Sequence, residues 1–271
     1  MKKGVDTMTN LEEILQAVQY TGAFTAAMDC LDNDFHNYMG DETVVYENCI
    51  LEDFCYDHEG FSWACGASKV VLVADNDDDS YVLKTAYVGY AYEPKDENGN
   101  FIEDADWEFA PWDREDDCRI EYLVYRAAVA RGVEHFFAET IKVDTAIYMQ
   151  EAYQKPLGDM SFSEMFSLIS MENRIKFKIE ITDFDITAVD NVASETGLYG
   201  LREKLGARTF ILFFDRYTIS ELQALQQFLL DYDINDLHRN NIGWFYDELK
   251  FVDYCGFGGK TSSIITSEVD N

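Results

Sequence analysis

The segment from residue 234 to residue 256 constrains the fold more than any other part of the chain. It reads I-N-D-L-H-R-N-N-I-G-W-F-Y-D-E-L-K-F-V-D-Y-C-G and contains three residues with oxygen-bearing side chains at notable spacing. Asp236 and Asn241 lie five residues apart, and Asp253 follows in the apolar setting F-V-D-Y. The spacing therefore predicts a compact site made from two carboxylates and one carboxamide.

A β-hairpin is predicted between Asn241 and Asp253. Two β-prone runs, residues 242–246 and 249–252, flank the acidic dipeptide Asp247-Glu248, where we expect the turn. Such a hairpin would hold Asp236 and Asn241 at one side and carry Asp253 out of its far end.

These motifs resemble those of the protein-kinase-like fold, whose catalytic loop reads D-x-x-x-x-N and whose metal-binding motif reads D-F-G. The spelling D-L-H-R-N-N-I-G is closer to aminoglycoside phosphotransferases and small bacteriophage kinase-like proteins than to eukaryotic kinases. The resemblance implies that Asp236 orients the acceptor hydroxyl, while Asn241 and Asp253 hold Mg²⁺. His238 would help to orient the loop.

Upstream, the resemblance extends to a nucleotide-binding β-meander. Two hydrophobic runs, residues 70–73 and 81–84, are joined by an Asn/Asp-rich turn, and a glycine-containing bend precedes them. Tyr-Val-Leu-Lys84 is similar to the V-A-I-K strand of the family, which implies that Lys84 binds the α- and β-phosphates. An alternative is that Lys84 is a surface lysine with a packed stem.

The other nucleotide contacts that the resemblance implies are Gly66 and Ser68 in the loop, Val71 and Val82 around the adenine, and Glu151 and Tyr153 at the adenine edge.

The glycine loop departs from the family pattern. Against G-x-G-x-x-G, Ala64 occupies the first glycine position, Gly66 the second and Lys69 the third.

A helix is predicted from Asp117 to Gly132, because it starts with acidic residues, carries apolar residues at helical spacing and ends at glycine. Glu121 falls where the glutamate of the family's αC helix pairs with the strand lysine. The alternative is an ordinary exposed glutamate near a helix start. Residues 136–141 and 145–150 are then expected to form two strands.

The expected architecture is an α+β, bilobal kinase-like fold with an antiparallel β N-lobe and a reduced, mainly helical C-lobe. Its predicted parts are a helical extension (1–45), an N-lobe (46–153) and a C-lobe (154–271). An acidic surface insertion is expected at about residues 93–117, and helices at 161–175, 187–205 and 220–230.

The composition of the chain excludes several classes of function. With 21 basic against 52 acidic residues the net charge is −31, so we expect no direct binding of nucleic acid. The six cysteines form no C-x-x-C pair, which favours reduced thiols in the cytoplasm. The start of the chain lacks the apolar run of a signal peptide, and no stretch approaches eighteen apolar residues, so we expect no membrane contact.

Two classes of function follow. The first is an ATP- and Mg²⁺-dependent phosphotransferase acting on a protein or a small molecule; nucleotidyl transfer to a protein is a variant of it. The second is a pseudokinase, an acidic binding protein of bacteriophage type that engages a host protein without catalysis. The full set of Lys84, Asp236, Asn241 and Asp253 favours the enzyme. The binding protein is favoured by the degenerate glycine loop and by the short stretch after Asp253, which ends at residue 271.

Further departures lie at the metal motif. Asp253 is followed by Tyr254 and Cys255 in place of Phe-Gly, and Asn235 stands where protein kinases have arginine.

Overall fold

The computed structural model describes residues 44–46, 61–65, 69–74, 81–86, 89–92, 94–100, 102, 108–111, 116–143, 147–235, 237–246, 248–255 and 260–269. Almost all of the predicted helical extension, residues 1–45, lies outside these ranges, as do Gly66, Ser68 and Asp236. The described part is α+β, as predicted.

The chain forms two compact units. Residues 1–118 and 142–149 make up the first, which we call the β unit, and residues 119–141 and 150–271 make up the second, which we call the helical unit. The predicted lobe boundary near residue 153 places the helix that carries Glu121 in the N-lobe, whereas that helix belongs with the helical unit from Arg119 onward.

Most of the described strands belong to the β unit. They are β1 (Val44–Tyr46), β2 (Phe61–Cys65), β3 (Lys69–Ala74), β4 (Tyr81–Ala86), β5 (Gly89–Tyr92) and β6 (Glu108–Pro111). Two further strands, β7 (Thr140–Lys142) and β8 (Ile147–Glu151), contain residues of both units. One sheet has the order β1-β5-β6 and a second has the order β2-β3-β4-β8-β7. The pairs β2–β3, β3–β4, β1–β5 and β5–β6 are antiparallel, as a meander requires.

One strand prediction in this region needs correction, and one strand was not predicted. The strand that was not predicted is β6, which lies within the predicted insertion at residues 93–117 and pairs with β5. Residues 134–136 form a 3₁₀ turn, so the strand predicted over residues 136–141 is confined to β7.

The helical unit contains the seven α-helices of the described ranges. They are α1 (Asp117–Arg131), α2 (Phe162–Leu168), α3 (Met171–Lys176), α4 (Ile186–Glu195), α5 (Tyr199–Arg216), α6 (Ile219–Asp231) and α7 (Thr261–Val269). Helix α1 ends where it was predicted to end, before Gly132, whose φ of 70° suits a residue without a Cβ. Helix α6 also matches its prediction, and Thr218 and Glu221 close its first turn as a capping box.

The helices predicted over residues 161–175 and 187–205 are each interrupted. Ser170 caps a new helix, α3, inside the first range, and Gly197 at a φ of 71° separates α4 from α5 inside the second. The core of the helical unit is rich in aromatic residues: Phe213 stacks on Phe251, and Phe137 contacts Tyr254 edge to face. This core holds the hairpin and α1 against the long helices α5 and α6.

Candidate functional site

A hairpin in the helical unit positions Asn241 and Asp253. Its strands are β10 (Ile242–Phe245) and β11 (Glu248–Phe251), and a short strand, β9 (Lys155–Pro156), pairs with the other edge of β10. The four residues of β10 are all buried. The hairpin is therefore a core element, with Asn241 directly before its first strand and Asp253 two residues after its second.

The turn of this hairpin differs from the prediction by one residue. Phe245 pairs with Glu248, so Glu248 belongs to strand β11 rather than to the turn, and the turn begins at Tyr246. Tyr246 adopts a φ of 57° and is exposed, which suits the first position of a tight hairpin turn.

The open end of the hairpin brings the backbones of Asn241 and Asp253 together. Asn241 closes a 3₁₀ turn, in which its N–H donates to the carbonyl of His238 at 2.9 Å. Its own carbonyl accepts from the N–H of Val252 at 3.0 Å, one residue before Asp253. The residues predicted to hold Mg²⁺ thus flank one hydrogen bond at the base of the hairpin.

Three potential metal ligands converge beside this base. One carboxylate oxygen each of Glu121 and Asp253 and the sulfur of Cys255 lie within 4.8 Å of one another. Glu121 is fully buried at 0% exposure, so the alternative of an exposed helix glutamate is wrong. The thiol of Cys255 donates to Oδ1 of Asp253 at 3.5 Å. In the sequence, Cys255 stands out only as a departure from the family motif. Its thiol lies close to the carboxylates of Asp253 and Glu121 only because of the fold.

A buried hydrogen-bond network orients the Glu121 carboxylate. Nε2 of Gln150 donates to Oε2 of Glu121 at 3.3 Å and to Oγ1 of Thr140 at 3.0 Å. The Thr140 hydroxyl in turn meets the Tyr254 hydroxyl at 2.5 Å, and Tyr254 donates to the carbonyl of Ala138 at 2.8 Å. Supporting shells of this kind hold a ligating carboxylate in one orientation.

Burial raises the pKa of Tyr254 well above its usual value, and the negative charge of Glu121 adds to the rise. Tyr254 is therefore a neutral hydrogen-bonding group at physiological pH, and the network contributes polarity without a second charge.

The chain just before Asp236 is held from two sides. Nζ of Lys204, on α5, donates to the carbonyl of Ile234 at 2.9 Å and to Oδ1 of Asn235 at 2.7 Å. From the start of α7, the Thr261 hydroxyl donates to the carbonyl of Asp233 at 3.0 Å. Desolvation lowers the pKa of Lys204, and the charge of Asp233 opposes that effect. No sequence signal singled out Lys204, since its partners lie about thirty residues away along the chain.

Glu151 and Tyr153, on the predicted hinge, both make contacts within the fold. The N–H of Glu151 donates to the carbonyl of Glu139 at 2.9 Å, and its carboxylate pairs with Lys250 at 3.0 Å. The ring of Tyr153 lies directly on Gly243, where a Cβ would overlap the Cβ of Tyr153. Burial raises the pKa of Tyr153, and the charge of Asp159 adds to the rise.

The β unit brings its predicted nucleotide residues onto one sheet face. Val71 on β3 is directly opposite Lys84 on β4, and Val82 precedes Lys84 by two residues, so the three side chains share a face. Lys84 is only 7% exposed, so the surface-lysine alternative is wrong.

Within the described ranges, no α-helix combines the length and apolar character needed to cross a bilayer. Comparison of the chain with protein-family models, with curated proteins and with solved structures produced no match.

Proposed function

We propose that this chain is an ATP- and Mg²⁺-dependent phosphotransferase with a bilobal, protein-kinase-like arrangement. One observation carries the proposal. The base of a buried hairpin aligns Asn241 with Asp253, and the carboxylate of Glu121 lies beside that of Asp253. Oxygen donors from an aspartate and an asparagine are the ligands that Mg²⁺ takes in phosphoryl transfer.

Each residue has a separate role in this proposal. Asp236 orients the attacking hydroxyl of the acceptor, Asn241 and Asp253 hold the metal ion, and Lys84 binds the phosphates. Val71 and Val82, on the same sheet face as Lys84, supply apolar surface for the adenine. Glu121 is the partner of Lys84 in the family pattern, and Gly66, Ser68, Glu151 and Tyr153 complete the nucleotide contacts.

The donor set fits magnesium. Mg²⁺ prefers hard oxygen ligands, which Asn241 and Asp253 offer, whereas a thiol such as that of Cys255 prefers softer metals. When bound, Mg²⁺ would neutralise charge on the phosphates. This matters in a protein of net charge −31, whose field repels a nucleotide.

The test is label transfer from ATP. We would incubate the chain with Mg²⁺ and either γ-labelled or α-labelled ATP, beside Asp253→Asn, Asp236→Asn and a matched exposed control, Asp183→Asn. Transfer of γ-label by the wild type and by the control, lost in the other two variants, is the expected result. Transfer of α-label would indicate nucleotidyl transfer. Absence of ATP binding at millimolar ATP and Mg²⁺ would overturn the proposal.

A second candidate function is a binding protein for a host partner, and exposed apolar residues favour it. Met171, Ile175, Ile181 and Ile186 lie within one stretch of the helical unit and are 66%, 72%, 64% and 54% exposed. Large exposed apolar side chains that adjoin one another mark protein-interaction surfaces, and these four lie within sixteen residues of sequence. Under this candidate, Met171→Ser with Ile175→Ser abolishes capture of the host protein, whereas Asp253→Asn leaves the capture intact.

A further inference from the structure

Two aromatic rings on α2 are covered by arginines from two other helices. Phe162 and Phe166 lie one turn apart, so their half-buried side chains share a face of α2. The guanidinium of Arg208, on α5, lies 5.0 Å from the centre of the Phe162 ring. That of Arg174, on α3, lies 4.1 Å from the centre of the Phe166 ring. Three helices therefore meet at one cationic and aromatic surface.

Apolar side chains extend this surface on both sides. Phe184, in the segment before α4, stacks on Phe162 with ring centres 6.0 Å apart. On α3, the exposed Ile175 directly follows Arg174. Stacked rings and neighbouring helix positions thus connect six residues, which we call the α2 surface: Phe162, Phe166, Arg174, Ile175, Phe184 and Arg208.

The two arginines differ in how their N–H groups are used. Nε of Arg174 donates to the carbonyl of Ile169 at 2.8 Å, and its Nη2 donates to that of Ser167 at 3.3 Å, so this arginine closes the end of α2. Arg208 is exposed, and its guanidinium makes no hydrogen bond or ion pair with any described residue. Stacking on a ring fixes the plane of a guanidinium and leaves the N–H donors at its edge open.

Acidic residues that adjoin the α2 surface are paired with lysines instead. Glu164, on α2, binds Lys155 at 2.8 Å, and Asp185, next to Phe184 in sequence, binds Lys178 at 3.0 Å. The chain has 52 acidic and only 21 basic residues, so carboxylates are abundant relative to cations. Against that excess, the surface presents a cation whose donors are open.

The chemistry of the α2 surface matches a ligand with a carboxylate beside an apolar group. A guanidinium with an open edge binds a carboxylate through two parallel hydrogen bonds. Phe184 and Ile175 offer apolar contact area close to that charge, and arginine and aromatic residues are the types enriched at protein interfaces. A protein segment that carries both groups would use the whole surface, whereas a small anion would use Arg208 alone.

Net charge distinguishes a protein segment from a membrane. A chain of net charge −31 is repelled by the wide negative surface of an anionic bilayer. A short segment docks within about 8 Å of Arg208, the distance over which physiological salt screens more remote charges. The local cation therefore has more influence on a short segment than on a bilayer.

We propose that the α2 surface is a docking site for an acidic, apolar segment of a partner protein. Arg208 binds a carboxylate of that segment through its edge, and a neighbouring apolar side chain packs against Phe184. This inference rests on the second candidate function for the existence of a protein partner, and it is independent of any transfer at the hairpin.

The first experiment selects peptides on the full chain. A displayed library of short random peptides is selected on immobilised wild type and, in parallel, on Arg208→Gln. We expect the peptides enriched on the wild type alone to be acidic and to contain a large apolar residue. Peptides enriched on the wild type alone that are neutral or basic would overturn the inference, as would the absence of any peptide that distinguishes the two proteins.

The second experiment measures the affinity of the most enriched peptide by fluorescence anisotropy. We expect Arg208→Gln to weaken binding about tenfold or more, as for a lost hydrogen bond between charged groups. Ile175→Ser should weaken binding as well. The matched control is Arg126→Gln, at an exposed arginine on α1 that lies 5.8 Å from the centre of the Tyr122 ring, and it should retain the wild-type affinity.

A double-mutant cycle then tests the carboxylate contact itself. Replacing the acidic residues of the peptide by their amides should weaken binding to the wild type. The same replacement should have a much smaller effect on binding to Arg208→Gln, because both changes remove one contact. Fully additive effects would overturn the contact between Arg208 and the carboxylate.

The outcomes separate this inference from the proposed function. Peptide binding that depends on Arg208, in a chain that transfers no phosphate, would retain the docking site and overturn the phosphotransferase. A host protein captured equally by the wild type and Arg208→Gln would retain the second candidate function and overturn the inference. Binding to phosphatidylserine vesicles that depends on Arg208, with no selected peptide, would assign the surface to lipid and overturn the inference too.

Discussion

The carbonyl of Asn241 accepts a hydrogen bond from the N–H of Val252 at 3.0 Å, so the chain entering the hairpin is tied to the chain leaving it. Asp253, the next residue, is held beside Asn241 by the register of β10 and β11. A shift of one residue in that register would send every side chain of β11 to the opposite face. The position of Asp253 beside Glu121 therefore depends on a tight turn at Tyr246, on the far end of the hairpin.

Cadmium should report the proximity of Cys255 to Asp253. Cd²⁺ favours thiolate ligands and binds more tightly when a carboxylate oxygen lies close enough to join the thiolate. We expect the wild type to show a thiolate-to-cadmium absorbance component that Cys255→Ser removes and Asp253→Asn shifts to higher cadmium concentration, measured by ultraviolet difference titration.

The matched control for the cadmium titration is Cys118→Ser, which removes the thiol of another buried cysteine outside any disulfide and should leave this component unchanged. A component lost in Cys255→Ser but unaltered in Asp253→Asn would contradict the grouping of the two side chains.

Removal of the Tyr254 hydroxyl should destabilise the helical unit. Tyr254→Phe deprives the carbonyl of Ala138 and the hydroxyl of Thr140 of a buried partner, and such a loss costs about 1–3 kcal/mol. Urea unfolding should show this loss at neutral pH. Tyr246→Phe, at a tyrosine that is 77% exposed, should unfold like the wild type.

The same tyrosine predicts a dependence of stability on alkaline pH. Its pKa in the folded chain is raised above the value near 10 that it has when unfolded. The contribution of neutral Tyr254 to the free energy of unfolding is fully present below pH 10. It is lost as the pH rises toward the pKa in the folded chain, because the tyrosine ionises first in the unfolded state. The difference in unfolding free energy between wild type and Tyr254→Phe should shrink above pH 10. A constant difference between pH 8 and pH 11 would contradict the assignment.

Local patterns predicted the hairpin and the helices α1 and α6, because their signals lie within the elements themselves. β-Prone runs flank an acidic dipeptide in the hairpin, and the α1 segment starts with acidic residues, carries apolar residues at helical spacing and ends at glycine. The turn position was wrong by one residue because the acidic dipeptide suggested the turn, whereas the pairing of Phe245 with Glu248 decides it.

Contacts distant in sequence could not be predicted in this way. Three such contacts join segments that no local pattern links. They are the proximity of Cys255 to Glu121, the hydrogen bond from Lys204 to Ile234, and the hydrogen-bond network that runs from Gln150 to Tyr254. Burial of Lys69 and Lys84 was equally invisible, because alternation along a strand indicates which face a residue is on but not what covers that face. The kinase-like roles of the site residues stay predictions until nucleotide binding is measured.

Gly243 is expected to tolerate no side chain. Gly243→Ala would drive a Cβ into the Cβ, Cγ and Cδ1 of Tyr153, close to the backbone of the predicted hinge where no flexible end can yield. Overpacking of this kind costs about 1–3 kcal/mol, and we expect a lower thermal midpoint together with weaker ATP binding. Gly200→Ala is the control: it meets only the end of the Gln226 side chain at 3.3 Å, and alanine favours the helix. Equal stability of the two variants would contradict the close contact at Tyr153.

Lys204 should hold the chain that leads into Asp236. In Lys204→Met the carbonyl of Ile234 and the side chain of Asn235 lose a charged donor, so this segment opens more readily. We expect amide hydrogen exchange over residues 233–237 to rise about tenfold, the equivalent of one hydrogen bond.

If the chain transfers phosphate, kcat of Lys204→Met should fall while KM for ATP stays unchanged, because the segment adjoins the residue proposed to orient the acceptor. Lys204→Arg keeps a donor and should restore both properties, and Lys178→Met, at an exposed lysine paired with Asp185, should alter neither. Unchanged exchange over residues 233–237 in Lys204→Met would show that the contacts from α7, at Asp233, hold the segment without the lysine.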